Sequence, residues 1–231
     1  MIELRAIEPA QRKAATIVGI AYLFAMAASM FTEGYIRGTL VVADATVTAQ
    51  NILNHQLLFR IGLGVEILTF LSDATLIAAL VVILTPINRH LALYAAFLRV
   101  AAVSVGIMMA AHGFDALRIL GNPEYLRVFQ TDQLAALARL SIGTHSTQYA
   151  MVFIFLGFGS TVFAYLWLRS GYVPKALAML GIVASLALAI GTFSFFIVPS
   201  LQGVLYPLHM VPMFFFETGM GLWLLIKGLP K

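Results

Sequence analysis

The stretch Phe59-Arg60-Ile61-Gly62-Leu63-Gly64-Val65-Glu66-Ile67-Leu68-Thr69-Phe70-Leu71-Ser72-Asp73, continued by Ala74-Thr75-Leu76-Ile77-Ala78-Ala79-Leu80-Val81-Val82-Ile83-Leu84, carries the reading of the whole chain. Its apolar run exceeds the roughly 20 residues that cross a hydrocarbon core about 30 Å thick. Pro86 closes it, since proline lacks the N–H that a helix interior needs. With this span at 57–84, others of the same kind fall at about 14–31, 91–112, 146–168, 176–197 and 203–226. Lipid offers no partner to an unpaired backbone N–H or C=O, so each span must be helical. The expected fold is all-α: a polytopic integral membrane bundle of six transmembrane helices, forming a single domain over residues 1–231.

Composition points the same way. Of 231 residues, 61% are hydrophobic and 10% charged, against the roughly 25% charged residues of a soluble domain. Such a chain could not cover its surface in water. Cysteine is absent, which excludes disulfide frameworks, thiolate nucleophiles and Cys-ligated metal centres. The formal net charge of +4 is better explained by topology than by phosphate binding, so no nucleic acid partner is expected. No linker or repeat divides the chain.

Arg5, Arg12, Lys13, Arg89, Arg169, Lys175, Lys227 and Lys231 all fall on one side of the six spans. Cytoplasmic connections carry the excess of Lys and Arg, so both termini are expected to face the cytoplasm, in the inner (cytoplasmic) membrane, multi-pass. The first span contains Ala25-Met26-Ala27, which a signal peptidase could read. It is expected to be retained as a first helix. The longer connections at about 32–56 and 113–145 then lie outside. Each contains a helix-like apolar pattern, such as Leu134-Ala135-Ala136-Leu137-Ala138-Arg139-Leu140, which reads either as a surface lid or as an ordinary amphipathic connector. Pro207 and Pro212 stand inside the sixth span and are expected to bend it or free carbonyls near His209.

Charges inside the spans cost roughly 2.5–3.5 kcal/mol each on insertion scales, and so mark candidate working sites. Glu66 and Asp73 are seven residues apart, on one helical face with Thr69 between them. Counting inward at about 1.5 Å per residue puts Arg99, Asp73 and Glu217 in one layer. A pair between Arg99 and one or both acids is the economical arrangement, and it reads equally as a lock between helices. A second layer nearer the outer face gathers Glu66, His112, His145, Gln148 and His209, with Arg60, Arg139 and Asp115 at its rim. His112 and Asp115 have the spacing for a carboxylate to orient an imidazole. The histidine spacing matches no metal motif, so neither a metal nor a cofactor is expected. Among 17 Phe and 8 Tyr, Phe70 and Phe216 stand beside the acids. They read as walls of a pocket or as core and bilayer contacts.

Arg60-x-Gly62 with the Glu66-to-Asp73 stretch, then Leu84-Thr85-Pro86-Ile87-Asn88-Arg89-His90-Leu91-Ala92-Leu93 and Arg99, make a recognisable set. So do Ser170-Gly171-Tyr172-Val173-Pro174-Lys175 and Glu217-x-x-x-Gly221-Leu222-Trp223-Leu224-Leu225-Ile226-Lys227-Gly228. Together they resemble the bacterial polytopic proteins of the domain of unknown function 4386 family, from about Arg12 to Lys227. The resemblance implies a membrane fold and no reaction.

The residues themselves suggest three functions. The first is binding or transformation of a lipophilic small molecule (isoprenoid, sterol-like or lipid), with membrane lipid the other partner and an oligomer possible. Glu66, Asp73 or Glu217 would act as a buried carboxyl acid in cyclisation or isomerisation. Arg60, Arg99, His112, His145, Gln148, His209, Phe70 and Phe216 would line the substrate. In outline this is similar to small integral-membrane terpene cyclases. The second is a metal-dependent membrane hydrolase of lipid amides or esters, resembling the alkaline ceramidase group in helix number. The third is a non-catalytic carrier or assembly subunit in which the same acids relay protons or hold helices together.

Overall fold

The computed structural model describes residues 7–230, with residues 202–208 described by backbone alone. Arg5 and Lys231, two of the eight basic residues used to orient the chain, lie outside the described residues, as does the side chain of Pro207. The helices are α1 (Pro9–Ser29), a π-helical segment (Met30–Arg37), α2 (Gly38–Leu40), α3 (Ala45–Asn54), α4 (Gln56–Leu84), α5 (Arg89–Leu120), α6 (Thr131–Ser170), α7 (Lys175–Ile197) and α8 (Gln202–Ile226). No strand occurs among the described residues. Six stretches are long and apolar enough to cross a membrane: Pro9–Leu40, Gln56–Leu84, Arg89–Leu120, Thr131–Ser170, Lys175–Ile197 and His209–Ile226.

The helix limits follow local chemistry. Asn88 Oδ1 accepts the Leu91 N–H at 3.0 Å to start α5, and Asp44 Oδ1 accepts the Val47 N–H at 2.8 Å to start α3. Gly171 at φ 65° follows the last residue of α6, a left-handed position that a side chain would strain.

Two expectations need correction. The 32–56 stretch is mostly helix, because the first helix runs on to Leu40 and α3 fills all but 41–44 and His55 of what remains before α4. Likewise the 113–145 stretch is mostly helix: α5 reaches Leu120, and Leu134 to Leu140 open the forty-residue α6. Gly143, just beyond that run, is too weak a breaker to stop the helix. Furthermore, α8 keeps its helical backbone across Pro207 and Pro212.

Contacts group the chain into two compact units, residues 1–26, 71–103 and 150–231 forming one and residues 27–70 and 104–149 the other. The divisions fall within helices, which is why no linker marks them in the sequence. In the first unit, helices approach at small residues, as membrane helices do where van der Waals packing is the main attraction. A Cβ on Gly157 would stand 2.7 Å from the Ser185 carbonyl oxygen on α7, and one on Gly159 3.0 Å from the Ala95 carbonyl oxygen on α5. These small residues thus serve contacts within the chain. At the end of the same unit, the Arg12 guanidinium donates to the Leu229 and Pro230 carbonyls at 3.2 and 2.8 Å. The first turn of α1 and the chain after α8 therefore meet at one end of this unit.

In the second unit, Ile36, Leu40, Ile52, Phe59, Leu63, Ala116, Leu117, Ala138 and Ile142 form one apolar core. Side chains fasten the connections: Arg139 Nε donates to the Val42 carbonyl at 3.1 Å, and Ser141 Oγ to the His112 carbonyl at 2.9 Å. Gly113 makes room for Leu63, and Gly106 for the Phe70 ring.

Backbone cannot yield as a flexible side chain can, so Gly157→Val should be poorly tolerated. We expect it to cost roughly 1–3 kcal/mol and to lower the unfolding temperature in detergent. Gly64→Ala, where a Cβ meets nothing within 4 Å, should leave that temperature unchanged or raise it slightly.

Candidate functional site

The polar residues expected in two layers form one group in each compact unit. In the first unit Arg99 is 2% exposed. Its guanidinium is paired with Asp73, and another of its nitrogens donates to Ser160 Oγ at 2.7 Å. Tyr22 and Glu217 lie within electrostatic reach of the same cation. The arrangement places a fully buried cation against a carboxylate, a hydroxyl and the α6 backbone, since Gly159 leaves space for the Arg99 side chain. It is what an ion pair that fixes helix neighbours requires.

The second unit holds a different kind of group. His145 on α6 is 3% exposed and Glu66 on α4 is 8% exposed. The imidazole Nε2 lies 2.9 Å from Glu66 Oε1 and 3.3 Å from Glu33 Oε1. Glu33 is partly open, and Arg37 lies 3.5 Å from it on the same segment. Tyr149, one turn further along α6, sets its ring 5.5 Å from that of His145. The amide oxygen of Gln148, also one turn from His145, is buried without a hydrogen-bond partner. An Nε2–H donates one proton, yet here it faces two carboxylates.

Local structure explains how Glu33 arrives. The Thr32 hydroxyl donates to the Ala28 carbonyl at 3.0 Å, competing with the backbone N–H groups for α-helical bonding. The chain there widens into a π-helix, in which the Gly38 N–H reaches back five residues to the Glu33 carbonyl. Such widened turns recur at working sites because they redirect side chains without ending the helix. Ile36 in the same segment is anchored in the apolar core.

Of the residues singled out in the sequence, the structure brings together Glu66 with His145 and Arg99 with Asp73. Glu66 and Asp73 do not act as one wall: each belongs to a different group, and the Thr69 hydroxyl between them bonds to its own helix at the Val65 carbonyl. The expected His112–Asp115 pair does not form. His112 is half-buried with Nδ1 2.9 Å from the Met108 carbonyl oxygen, and Asp115 instead meets Arg118 at 3.7 Å. Each finds a nearer partner on its own helix. Arg60 is exposed and joins no ion pair among the described residues. His209 is in the first unit, among the rings of Phe153 and Phe195. Phe70 and Phe216 are packing residues: Phe70 fills the space left by Gly106, and Phe216 that left by Gly181, edge-on to Tyr22.

Sequence reasoning missed Glu33 and Tyr22. The signal for Glu33 was present, a lone acid directly after the first apolar run and four residues before Arg37. Ending the span at residue 31 hid it.

Six long apolar helices with ionised side chains buried among them define a multi-pass helical membrane protein. The chain matches the family described as domain of unknown function (DUF4386) over residues 17–228 and belongs to it. No curated protein and no solved structure matches it.

Removing one partner from a buried pair strands the other. Arg99→Leu should therefore cost about 3–5 kcal/mol and sharply reduce the monodisperse protein recovered in detergent. Arg99→Leu combined with Asp73→Leu should recover most of that loss. Size-exclusion profiles of the two variants at equal expression provide the check.

Proposed function

We propose that this protein resides in the cytoplasmic membrane with both termini in the cytoplasm, and there binds and transforms a lipophilic small molecule at the Glu33–Glu66–His145 group. The observation that carries the reading is the imidazole facing two carboxylates, within helices long and apolar enough to cross a membrane. A soluble substrate would have no reason to be processed there, whereas an isoprenoid, sterol-like compound or lipid reaches such a group directly from the bilayer. Ionisable groups inside a membrane are costly to keep, and their usual return is function.

The chemistry such a group supports is acid–base. Glu66 and His145, at hydrogen-bond distance, form a unit able to hold a proton and pass it on. Delivered to a double bond or an oxygen of a bound substrate, that proton starts an isomerisation or cyclisation. Glu33, the most open of the three, is placed for the contact with substrate. Gln148 offers an unused acceptor beside the group, suited to orienting a hydroxyl or amide of the ligand. The first unit's Arg99 and Asp73 serve the scaffold in this reading, since both are committed to each other.

The test is the organic extract of the purified protein. Mass spectrometry should find one lipophilic compound enriched over the bulk membrane lipids. Its amount should fall at least fivefold in Glu66→Gln and in His145→Asn. An extract holding only bulk phospholipid and detergent, the same in all three proteins, would count against the proposal.

A further inference from the structure

We infer that Glu33, Glu66 and His145 form a binding site for a divalent transition cation of the zinc type. The inference rests on reading this group as the working site, and it does not depend on which lipophilic molecule is bound.

Three observations carry it. The first is distance. Donor atoms about 2.0–2.2 Å from one ion, at the angles of a tetrahedron or octahedron, stand about 2.8–3.5 Å from each other. His145 Nε2 is 2.9 Å from one Glu66 oxygen and 3.3 Å from one Glu33 oxygen, and all three donor atoms lie within 4.8 Å of one another. The two separations from the imidazole are those of neighbours around one ion, and the carboxylate oxygens are close enough to one another to close on it.

The second is charge and valence. Two carboxylates converge on an imidazole that can satisfy only one of them with its single Nε2–H. Arg37 also faces the group, and its ion pair is with Glu33. A divalent cation accepting one oxygen from each acid and the Nε2 lone pair satisfies all three at once. A set of one nitrogen and two oxygens suits zinc and its first-row neighbours better than calcium or magnesium, which take oxygen alone.

The third is Gln148. Its amide oxygen is buried and unpartnered, three residues after His145 on α6 and so on the same face. Helical side chains lean back toward the preceding turn, which directs this oxygen toward the histidine. There it can accept from a water on the cation, or bind the ion itself. Three protein donors with one open position are the pattern of catalytic rather than structural zinc. The partial exposure of Glu33 puts the opening on its side of the group. A cation so held would polarise a substrate carbonyl or activate a water, shifting the chemistry at this site from proton donation toward hydrolysis.

No spacing rule could show such a set, since its members come from three separate segments of the chain. The test uses the full-length protein, stripped with chelator, equilibrated with Zn²⁺ and desalted. Elemental analysis should return about one zinc per chain, and Glu33→Gln, Glu66→Gln and His145→Ala should each weaken binding by at least about tenfold. His112→Ala, altering a histidine outside the group, should leave it unchanged. Because a variant can fail to fold, the unsubstituted protein should also be loaded with Co²⁺, which should develop visible d–d bands that Zn²⁺ abolishes. Less than about 0.2 zinc per chain with no cobalt bands overturns the inference, as does undiminished zinc in all three variants. Zinc binding in a protein whose extract holds no enriched lipophilic compound would keep the cation and defeat the small-molecule proposal. The reverse result would do the opposite.

Discussion

An ionised side chain placed among hydrocarbon-facing helices must find an opposite charge, a proton or a cation, and this requirement organises the molecule. At effective dielectric constants near 20, two unit charges about 4 Å apart attract by about 4 kcal/mol. That is comparable to the cost of inserting either one. Arg99 meets the requirement with an opposite charge on the neighbouring helix. It is matched by Asp73 and Ser160, and Gly159 leaves it room to lie against α6. Once such a pair exists, α4 and α5 are fixed as neighbours, because any other register strands a charge.

The group around His145 meets the same requirement incompletely. A single imidazole proton stands between two carboxylates, a buried amide oxygen has no partner, and Glu33 is partly open. Evolution could remove this tension with three apolar side chains. That the chain keeps it, and widens a helix into a π-turn to bring Glu33 in, is the physical reason to place function here. The contrast between the groups is one of pairing: in the first a guanidinium is matched by Asp73, and in the second one imidazole faces two carboxylates.

Much of this was legible in the sequence. Helix number follows from span length and punctuation, and the Arg99–Asp73 pair follows from counting residues inward from the helix ends. Glu66 with His145 was expected as part of one layer, although Arg60, His112 and His209 were expected with them and belong elsewhere. Depth along a helix is readable at 1.5 Å per residue, whereas rotation about its axis is set by packing. Rotation turned His112 outward, to its own backbone. Glu33 was lost for another reason. An acid after an apolar run reads as the end of a span, and only a partner on a distant helix makes continuing the helix favourable. The π-turn that aims it leaves no mark beyond the small and hydroxyl residues around Thr32.

We propose that the Glu33–Glu66–His145 group is kept for chemistry, at a cost to stability. The most direct test of this is the unfolding temperature of a variant carrying Glu33→Gln, Glu66→Met and His145→Leu together, measured in detergent beside the unsubstituted protein. Exchanging all three for groups of similar shape leaves only the partly exposed Arg37 without its carboxylate, so the unfolding temperature is expected to be about equal to or above the original. A large fall would show that the group is scaffold and contradict the account.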